Sequence, residues 1–302
     1  MTDPKLLSDL YDTFIFDLDG TVWHDEPIPD AVESIYKLIV KHNKKVLFYT
    51  NGGQITRKET WERVFSTFRD YLDEARFSEI ASSLTQDCVY NTSYLTAAYL
   101  KATLKDDLDA KINIIGMKAL QDEIREAGFK NAQLQYTKID GHYDTCLYEK
   151  EFTAFSPDPE VKAVVTGYSE TANFRELAIA GIYLGLDGVS FVTTNDDPVY
   201  INDKKTMRRK LDVGAFLGSL ETCSGRTAVR VGKPNPSGFR QMLHDHFSEQ
   251  QSRWESKSFL QRFCMVGDNL DTDIQFGKNS GIGTVLVLTG LAKLETHQAQ
   301  ID

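Results

Sequence analysis

The stretch that decides the fold is FIFDLDGTVW, residues 14–23. Its run of β-favouring apolar residues ends at Asp17, and Asp19 follows one residue later, directly before Gly20 and Thr21. Phe and Ile are enriched in strands, and a Gly after such a run favours a tight turn. The stretch therefore predicts a buried β-strand whose carboxyl end carries two neighbouring acids.

The same pattern recurs along the chain and predicts the fold class. Each run except the last precedes a segment with helical spacing, and the runs lack polar alternation, as do strands that helices cover on both faces. We therefore predict an α/β fold with mostly parallel, doubly wound sheets. The further runs are KVLFYT (45–50), INIIG (112–116), VKAVVTG (161–167), FCMVGD (263–268) and TVLVLTG (284–290).

Length and composition allow one large or two moderate domains, because 302 residues exceed the usual ~100 to 200 residues of one domain. The formal net charge of −10 argues against a general nucleic-acid or anionic-membrane binder. The four cysteines lack metal-binding spacing and suit reduced thiols. No apolar stretch reaches the ~18 residues of a membrane span, so we expect a soluble cytoplasmic protein.

Chemically useful residues cluster at the ends of three of the apolar runs and of one further short run, TAVRVG (227–232). If these strand ends meet, they supply carboxylates, one lysine, a hydroxyl and glycine-flanked amides, which suit Mg²⁺ binding and phosphoryl transfer. Other interpretations stay open for the single segments: helix N-terminal acids at Asp268 and Asp273, a plain turn after Thr50, and a surface lysine at Lys233. The four ends are DLDGT (17–21), YTNGG (49–53), GKP (232–234) and GDNLDTD (267–273).

The order of these segments resembles the four motifs of haloacid-dehalogenase-superfamily phosphatases. Longer segments are similar to subfamily IIA, which includes 4-nitrophenylphosphatase-like, phosphoglycolate and pyridoxal phosphatases and bacterial nucleotide phosphatases. The likeness extends from about residue 12 to residue 291, and its further segments are SYLTAAYLKA (93–102), INIIGMKALQDEIREAGF (112–129), FVTTNDD (191–197) and VGKPNPSGF (231–239).

The resemblance implies a doubly wound Rossmann-like parallel-sheet core with an inserted α/β cap domain. The discontinuous core would comprise residues 1–94 and 206–302, and the cap residues 95–205. Residues 140–160 look more irregular than expected for such a cap, as an extended loop or an added hairpin. Asp197 lies where the chain would return from cap to core, as a loop cap or a hinge residue.

The resemblance also implies the roles of individual side chains in a Mg²⁺-dependent phosphatase. Asp17 would be the nucleophile that forms an aspartyl phosphate, and Asp19 the general acid and base. The phosphate would be bound by Thr50, Asn51, Gly52 and Lys233. The metal would be held by Asp17, the Asp19 carbonyl and Asp268, while Asp273 would orient the water that the metal carries.

Two other functions compete with this hypothesis. A haloacid dehalogenase is disfavoured because it needs no acid at Asp19 to protonate an alkoxide. A catalytically silent phosphate-ester-binding or regulatory protein on the same scaffold remains the alternative. The partner would be a small phosphorylated metabolite, with neither nucleic acid nor membrane, and relatives often dimerise through the cap. Phosphoglycolate, pyridoxal phosphate, nucleotides and sugar phosphates all stay open as substrates.

Overall fold

The computed structural model describes residues 6–105, 107–135, 138–139, 142–143, 149–203 and 208–292, without the side chains of 138–139, 142–143, 200–203 and 208–209. The strands are β1 (Thr13–Phe16), β2 (Lys45–Thr50), β3 (Val89–Asn91), β4 (Lys111–Ile115), β5 (Ala132–Leu134), β6 (Lys138–Ile139), β7 (His142–Tyr143), β8 (Val161–Thr166), β9 (Ser190–Thr193), β10 (Val199–Asp203), β11 (Arg208–Leu211), β12 (Val229–Arg230), β13 (Phe263–Gly267) and β14 (Gly283–Leu286). The helices are α1 (Leu7–Leu10), α2 (Pro29–Val40), α3 (Arg57–Tyr71), α4 (Glu74–Ile80), α5 (Thr92–Thr103), α6 (Lys118–Glu126), α7 (Glu149–Ala154), α8 (Phe174–Leu184), α9 (Val213–Ser224), α10 (Ser237–Phe247), α11 (Lys257–Leu260) and α12 (Gln275–Ser280).

The chain forms two compact units. The first unit comprises Met1–Thr50, Arg57–Asn91 and Lys233–Asp302, and the second comprises Asn51–Thr56 and Thr92–Gly232. Within the described ranges, none of the helices is both long and apolar enough to cross a membrane.

The first unit is built on a parallel sheet of five strands in the order β14-β13-β1-β2-β3. β1 occupies the middle, where Thr13 pairs with Phe263 on one side and Lys45 on the other. Its residues Phe14 and Ile15 are fully buried, which explains the apolar run without polar alternation. Because the strands are parallel, their carboxyl ends, and the residues that follow them, lie along one edge.

The second unit contains another parallel sheet of five strands, in the order β12-β9-β8-β4-β5. Helices α8 and α9 pack against it through buried residues that include Ile179 and Leu217. Asn173 caps the N-terminus of α8, since its side chain accepts a hydrogen bond from the Glu176 amide at 3.1 Å. Two short antiparallel hairpins, β6-β7 and β10-β11, complete the described part of this unit.

The prediction of an α/β fold with mostly parallel sheets is confirmed by these two sheets. The run TAVRVG before Lys233 behaves differently from the other runs, because its short strand β12 pairs with β9 in the second sheet. The second unit accordingly extends to Gly232, beyond the predicted cap boundary at residue 205, and it begins again at Thr92 rather than residue 95. That one unit is a catalytic core and the other a cap stays a prediction.

The irregular segment 140–160 is described only in part. It contains β7, the second strand of a hairpin, and helix α7. Residues 140–141 and 144–148 lie outside the described residues. Of the two alternatives, an extended loop or an added hairpin, the described residues show a short hairpin whose second strand lies at the start of the segment.

Candidate active site

Asp17 follows the central strand β1 directly and is buried, with 7% of its surface exposed. Its backbone amide continues the sheet by donating to the Val266 carbonyl at 2.9 Å. The chain then turns at Gly20, whose φ of +92° lies in the left-handed region that favours glycine. The Thr289 hydroxyl donates to the Gly20 carbonyl at 2.6 Å and fixes this turn. The local sequence therefore directs one carboxylate into the interior at the carboxyl edge of the sheet.

Lys233 supplies a buried positive charge beside Asp17. Its ammonium group donates to Asp17 Oδ1 at 2.6 Å, to Asp273 Oδ1 at 2.7 Å and to the Tyr49 carbonyl at 3.0 Å. Only 2% of the lysine is exposed. A buried ammonium is tolerated where such partners compensate for lost hydration, so its three acceptors explain how this cation remains in the interior.

Two further aspartates follow β13. Asp268, at the end of the strand, accepts a hydrogen bond from the Leu291 amide at 2.6 Å. Asp273, in the next turn, accepts one from the Asn269 amide at 3.1 Å. Asn269 also caps this turn, a π-helical turn over Leu270–Ile274, through its side-chain oxygen. The turn thereby brings the second carboxylate back toward the first.

Three glycines make room for these carboxylates. A Cβ at Gly290 would lie 1.8 Å from Asp268 Oδ2, and a Cβ at Gly20 would lie 2.6 Å from the same atom. A Cβ at Gly267 would lie 2.3 Å from Asp273 Cγ. Since real Cβ atoms do not approach this closely, the aspartates occupy space that only glycine leaves free.

Together the side chains form an acidic cluster that can hold a cation. Carboxylate oxygens of Asp17, Asp268 and Asp273 all lie within 4.8 Å of one another. Burial, opposed by Lys233 and reinforced by the other two acids, raises the pKa of Asp17 well above its usual range. Burial likewise raises the pKa of Asp268. One lysine cannot balance three ionised acids, so the cluster is under-compensated, and its hard oxygen donors fit Mg²⁺.

The pKa of Lys233 reflects the same imbalance. Burial by itself lowers the pKa of this ammonium, but Asp17 and Asp273 outweigh that effect and raise the pKa above its ordinary value. The lysine is therefore a permanent positive charge at neutral pH. Placed beside Asp17, it favours the ionised, nucleophilic form of that carboxylate.

Asp19 differs from Asp17 in both exposure and partner. It is exposed, and its Oδ1 accepts a hydrogen bond from the indole N–H of buried Trp23 at 2.9 Å. The Arg63 guanidinium lies over one face of the indole, 4.3 Å from the centre of the Trp23 ring. The indole hydrogen bond therefore orients the second acid of the opening stretch.

The expected phosphate-binding residues fall in both units. Thr50 ends β2 in the first unit and is 5% exposed. Asn51 and Gly52 belong to the second unit, so of the four expected residues only Thr50 and Lys233 belong to the same unit as the acidic cluster. The structure brings Lys233, Asp17, Asp268 and Asp273 together, and the catalytic and binding roles of all these residues stay predictions.

Sequence reasoning missed several groups that complete the cluster. These are the Tyr49 carbonyl, the Leu291 amide, the Asn269 cap and the Gly290 contact. Backbone groups leave no signal in residue identity. The glycines were visible in the sequence, but the two that touch Asp268 lie remote from it along the chain.

Two family models match the chain: "Haloacid dehalogenase-like hydrolase" over residues 14–130 and "HAD-hydrolase-like" over residues 230–302. Phosphoglycolate phosphatase 2 of Arabidopsis thaliana is 32% identical over 291 residues, which cover 95% of this chain and 86% of that protein. Relatives of this kind also include a 4-nitrophenylphosphatase of Schizosaccharomyces pombe, 29% identical over 96% of this chain and 88% of that protein.

Solved structures share the fold. The p-nitrophenyl phosphatase from Archaeoglobus fulgidus aligns with a TM-score of 0.70 and 25% identity, over 96% of this chain and 91% of that chain. A glycerol phosphate phosphatase from Mycobacterium tuberculosis, solved in complex with magnesium, has a TM-score of 0.66 and 23% identity, over 96% of this chain and 71% of that chain.

Proposed function

Because this chain belongs to the haloacid-dehalogenase-like hydrolases, subfamily IIA, and is a phosphatase, we propose that it hydrolyses small phosphomonoesters through an aspartyl phosphate on Asp17, with Mg²⁺ as the cofactor. The observation that supports this mechanism is the buried contact of Lys233 with Asp17 at 2.6 Å beside two further carboxylates. A carboxylate with a fixed cation at one oxygen is held in a single orientation, with its other oxygen available for attack.

The reaction proceeds in two displacements at phosphorus. In the first, an Asp17 oxygen forms a bond to phosphorus while the bond to the leaving oxygen breaks, and that oxygen takes a proton from Asp19. In the second, Asp19 removes a proton from water, whose oxygen attacks phosphorus and releases phosphate and free Asp17. Exposure suits Asp19 to this exchange of protons, and the Trp23 indole keeps its carboxylate oriented.

Mg²⁺ would be held by Asp17, Asp268 and the backbone carbonyl of Asp19. When bound, it supplies positive charge that offsets the phosphoryl oxygens and the clustered acids. Asp273 has a different task, because it accepts hydrogen bonds from Lys233 and the Asn269 amide and so holds the lysine in place. A magnesium complex of a phosphatase with the same fold supports this choice of cation.

The phosphate of the substrate would be bound by Thr50, Asn51, Gly52 and Lys233. We propose esters of small metabolites as substrates, with 4-nitrophenyl phosphate as a test substrate, and phosphoglycolate as the first candidate because the Arabidopsis relative carries that name. A homodimer through the second unit and a cytoplasmic location are part of the proposal. Cys88, Cys223 and Cys264 are free cysteines, and Cys223 is exposed, which supports a reducing compartment.

The test compares two aspartate variants with the wild type on 4-nitrophenyl phosphate and Mg²⁺. Asp17→Asn should abolish turnover, because an amide cannot form the acyl phosphate. Asp271→Asn, an exposed position in the same turn as Asp273, is the matched control and should retain wild-type activity. Acid quenching during turnover of an ester with a labelled phosphate should leave labelled phosphate on the wild-type protein. No label should remain on Asp17→Asn.

Turnover by Asp17→Asn would contradict the mechanism. Absence of wild-type activity over a panel that includes phosphoglycolate, pyridoxal phosphate, nucleoside monophosphates and glycerol phosphate would instead favour the silent binding or regulatory protein.

A further inference from the structure

Residues next to three of the points where the chain passes from one unit to the other lie close together in the second unit. The chain passes between the units after residues 50, 56, 91 and 232. Next to three of these points stand Asn51, Thr92 and Gly232. The Thr92 hydroxyl donates to the Asn51 carbonyl at 2.9 Å, and a Cβ on Gly232 would lie 2.8 Å from Asn51 Oδ1. Asn51 is therefore in contact with Thr92 and Gly232, two residues that also lie where the chain passes between the units.

Asp197 binds the side-chain amide of Asn51. The Asn51 side-chain amide donates to Asp197 Oδ2 at 2.9 Å, and the Asn195 amide donates to the same oxygen at 2.7 Å. Asn51 and Asp197 are 146 positions apart in sequence. We call Asn51, Thr92, Asn195 and Asp197 the Asp197 network. A carboxylate that accepts two N–H groups is a stronger acceptor than a neutral group would be.

The Asp197 network rests on a fixed support. The Gly214 amide, in the first turn of α9, donates to the Asp197 carbonyl at 3.0 Å, and a Cβ at Gly214 would lie 2.2 Å from the Asp196 carbonyl oxygen. Asn195 is 5% exposed, and its oxygen accepts from the Thr194 hydroxyl at 2.7 Å, which leaves its amide to face Asp197. Both the backbone and the side-chain partner of Asp197 are thus held in place.

The same contacts set the direction of the backbone after β2. The carbonyl of Asn51 accepts from Thr92, and the carbonyl of Gly53 accepts from the Ser93 hydroxyl at 2.9 Å. In a planar trans peptide the N–H points opposite to the C=O. The N–H of Gly52 therefore points away from Thr92, in a direction that the Asn51 contacts keep constant.

We propose that Asp197 is a positioning residue for phosphate binding: by holding the Asn51 side chain it keeps the Gly52 N–H oriented toward the phosphate oxygens of the substrate. This inference rests on the proposed function, in which Asn51 and Gly52 bind phosphate. It assigns to Asp197 a role through Asn51 and not a contact with the reacting atoms. Loss of Asp197 frees the loop and weakens phosphate binding, while Asp17 and Lys233 remain intact.

The test is a double-mutant cycle with Asp197→Ala and Asn51→Ala, with binding of inorganic phosphate to the Mg²⁺-loaded protein measured by calorimetry and by competitive inhibition. Asp197→Ala should weaken phosphate binding about tenfold and raise KM for 4-nitrophenyl phosphate similarly, with kcat within about threefold, the size expected for one charge-assisted hydrogen bond. In the Asn51→Ala background the same change should have less than a twofold effect, because the two residues act as one unit.

Asp196→Ala is the control, since Asp196 pairs with Arg230 at 2.6 Å and belongs to the same loop, and its phosphate affinity should equal that of the wild type. Unchanged affinity in Asp197→Ala, or independent effects in the cycle, would refute the positioning role. If Asp197→Ala does not fold, Asp197→Asn replaces it in the test. The amide oxygen of this variant is a weaker acceptor, so phosphate affinity should fall by a smaller factor. A phosphate affinity equal to that of the wild type would refute the proposal. Failure of the proposed function would be visible separately, as a wild type without phosphatase activity or an active Asp17→Asn.

Discussion

Replacing Lys233 by Met removes the buried charge of the cluster while keeping most of the side-chain volume. Three carboxylates within 4.8 Å of one another then lose the ammonium that contacts two of them at 2.6 and 2.7 Å. Breaking a buried ion pair by removing one partner costs about 3–5 kcal/mol. We expect a loss of this size in the free energy of unfolding at pH 8 in the presence of EDTA.

The loss should depend on pH with a definite sign. The folded-state pKa of Asp17 is already raised by burial, so the stability linked to its protonation is present below its unfolded pKa and is lost as pH rises through the folded pKa. Without Lys233 this pKa rises further. At pH 5 a carboxyl can take up a proton, and the cost falls to about 1–2 kcal/mol for the hydrogen bonds that are no longer made. Mg²⁺ should restore part of the stability at pH 8, since it binds only the folded cluster.

Urea unfolding followed by tryptophan fluorescence measures this effect in the relevant unit, because Trp23, Trp61 and Trp254, the three tryptophans of the chain, all belong to the first unit. Lys58→Met, at an exposed position of helix α3 in the same unit, is the control and should leave the unfolding midpoint nearly unchanged at both pH values. An equal loss at pH 5 and pH 8 would show that Lys233 acts through packing and not through charge.

Three further predictions concern other groups. Gly290→Ala places a Cβ against Asp268 and should destabilise the protein by about 1–3 kcal/mol and weaken Mg²⁺ binding in a fluorescence titration, whereas Gly218→Ala, with open space in α9, should stabilise it slightly. Burial raises the pKa of Glu176 to about 7, so the stability that its protonated form contributes is lost as pH rises from about 4.5 through 7. The free energy of unfolding of Glu176→Gln should exceed that of the wild type by on the order of 2–3 kcal/mol at pH 8 and equal it near pH 4. Equal melting curves at pH 8 would contradict this. Asp19→Asn should slow release of the alcohol in single-turnover experiments about 10²- to 10⁴-fold for glycerol phosphate but much less for 4-nitrophenyl phosphate, whose leaving group needs no proton. Hydrolysis of the aspartyl phosphate should slow equally for both esters, and equal losses in the release step would exclude Asp19 as the acid.

Most of the fold could be predicted from the sequence because buried parallel strands are encoded as apolar runs without polar alternation. KVLFYT became β2 over the predicted residues, and FCMVGD became β13 with its last residue outside the strand. The meeting of Asp17 with Asp268 and Asp273 follows from the same pattern, since neighbouring parallel strands end at one edge. Residues that directly follow these strands therefore gather without any further information.

Other parts of the cluster and the unit boundary could not be predicted from local patterns. Lys233 follows a strand of the other sheet, so the strand-end rule does not account for its contact with Asp17; the likeness to known motifs did. The hydrogen bond from Trp23 to Asp19 and that from Asn51 to Asp197 depend on tertiary packing, which residue types alone do not encode. For the same reason the second unit continued to Gly232, since the pairing of β12 was not visible in so short a run.

The central position of β1 also has a consequence for biosynthesis. One of its neighbours, β2, leaves the ribosome soon after it, but the other, β13, and the lysine that contacts Asp17 follow more than 200 positions later in the chain. A nascent polypeptide therefore carries Asp17 through more than 200 further positions beside an unfilled half of its sheet, without Lys233 and without Asp268. The acidic cluster can assemble only after Asp268 and Asp273 have been made, so a chain interrupted before these residues lacks it.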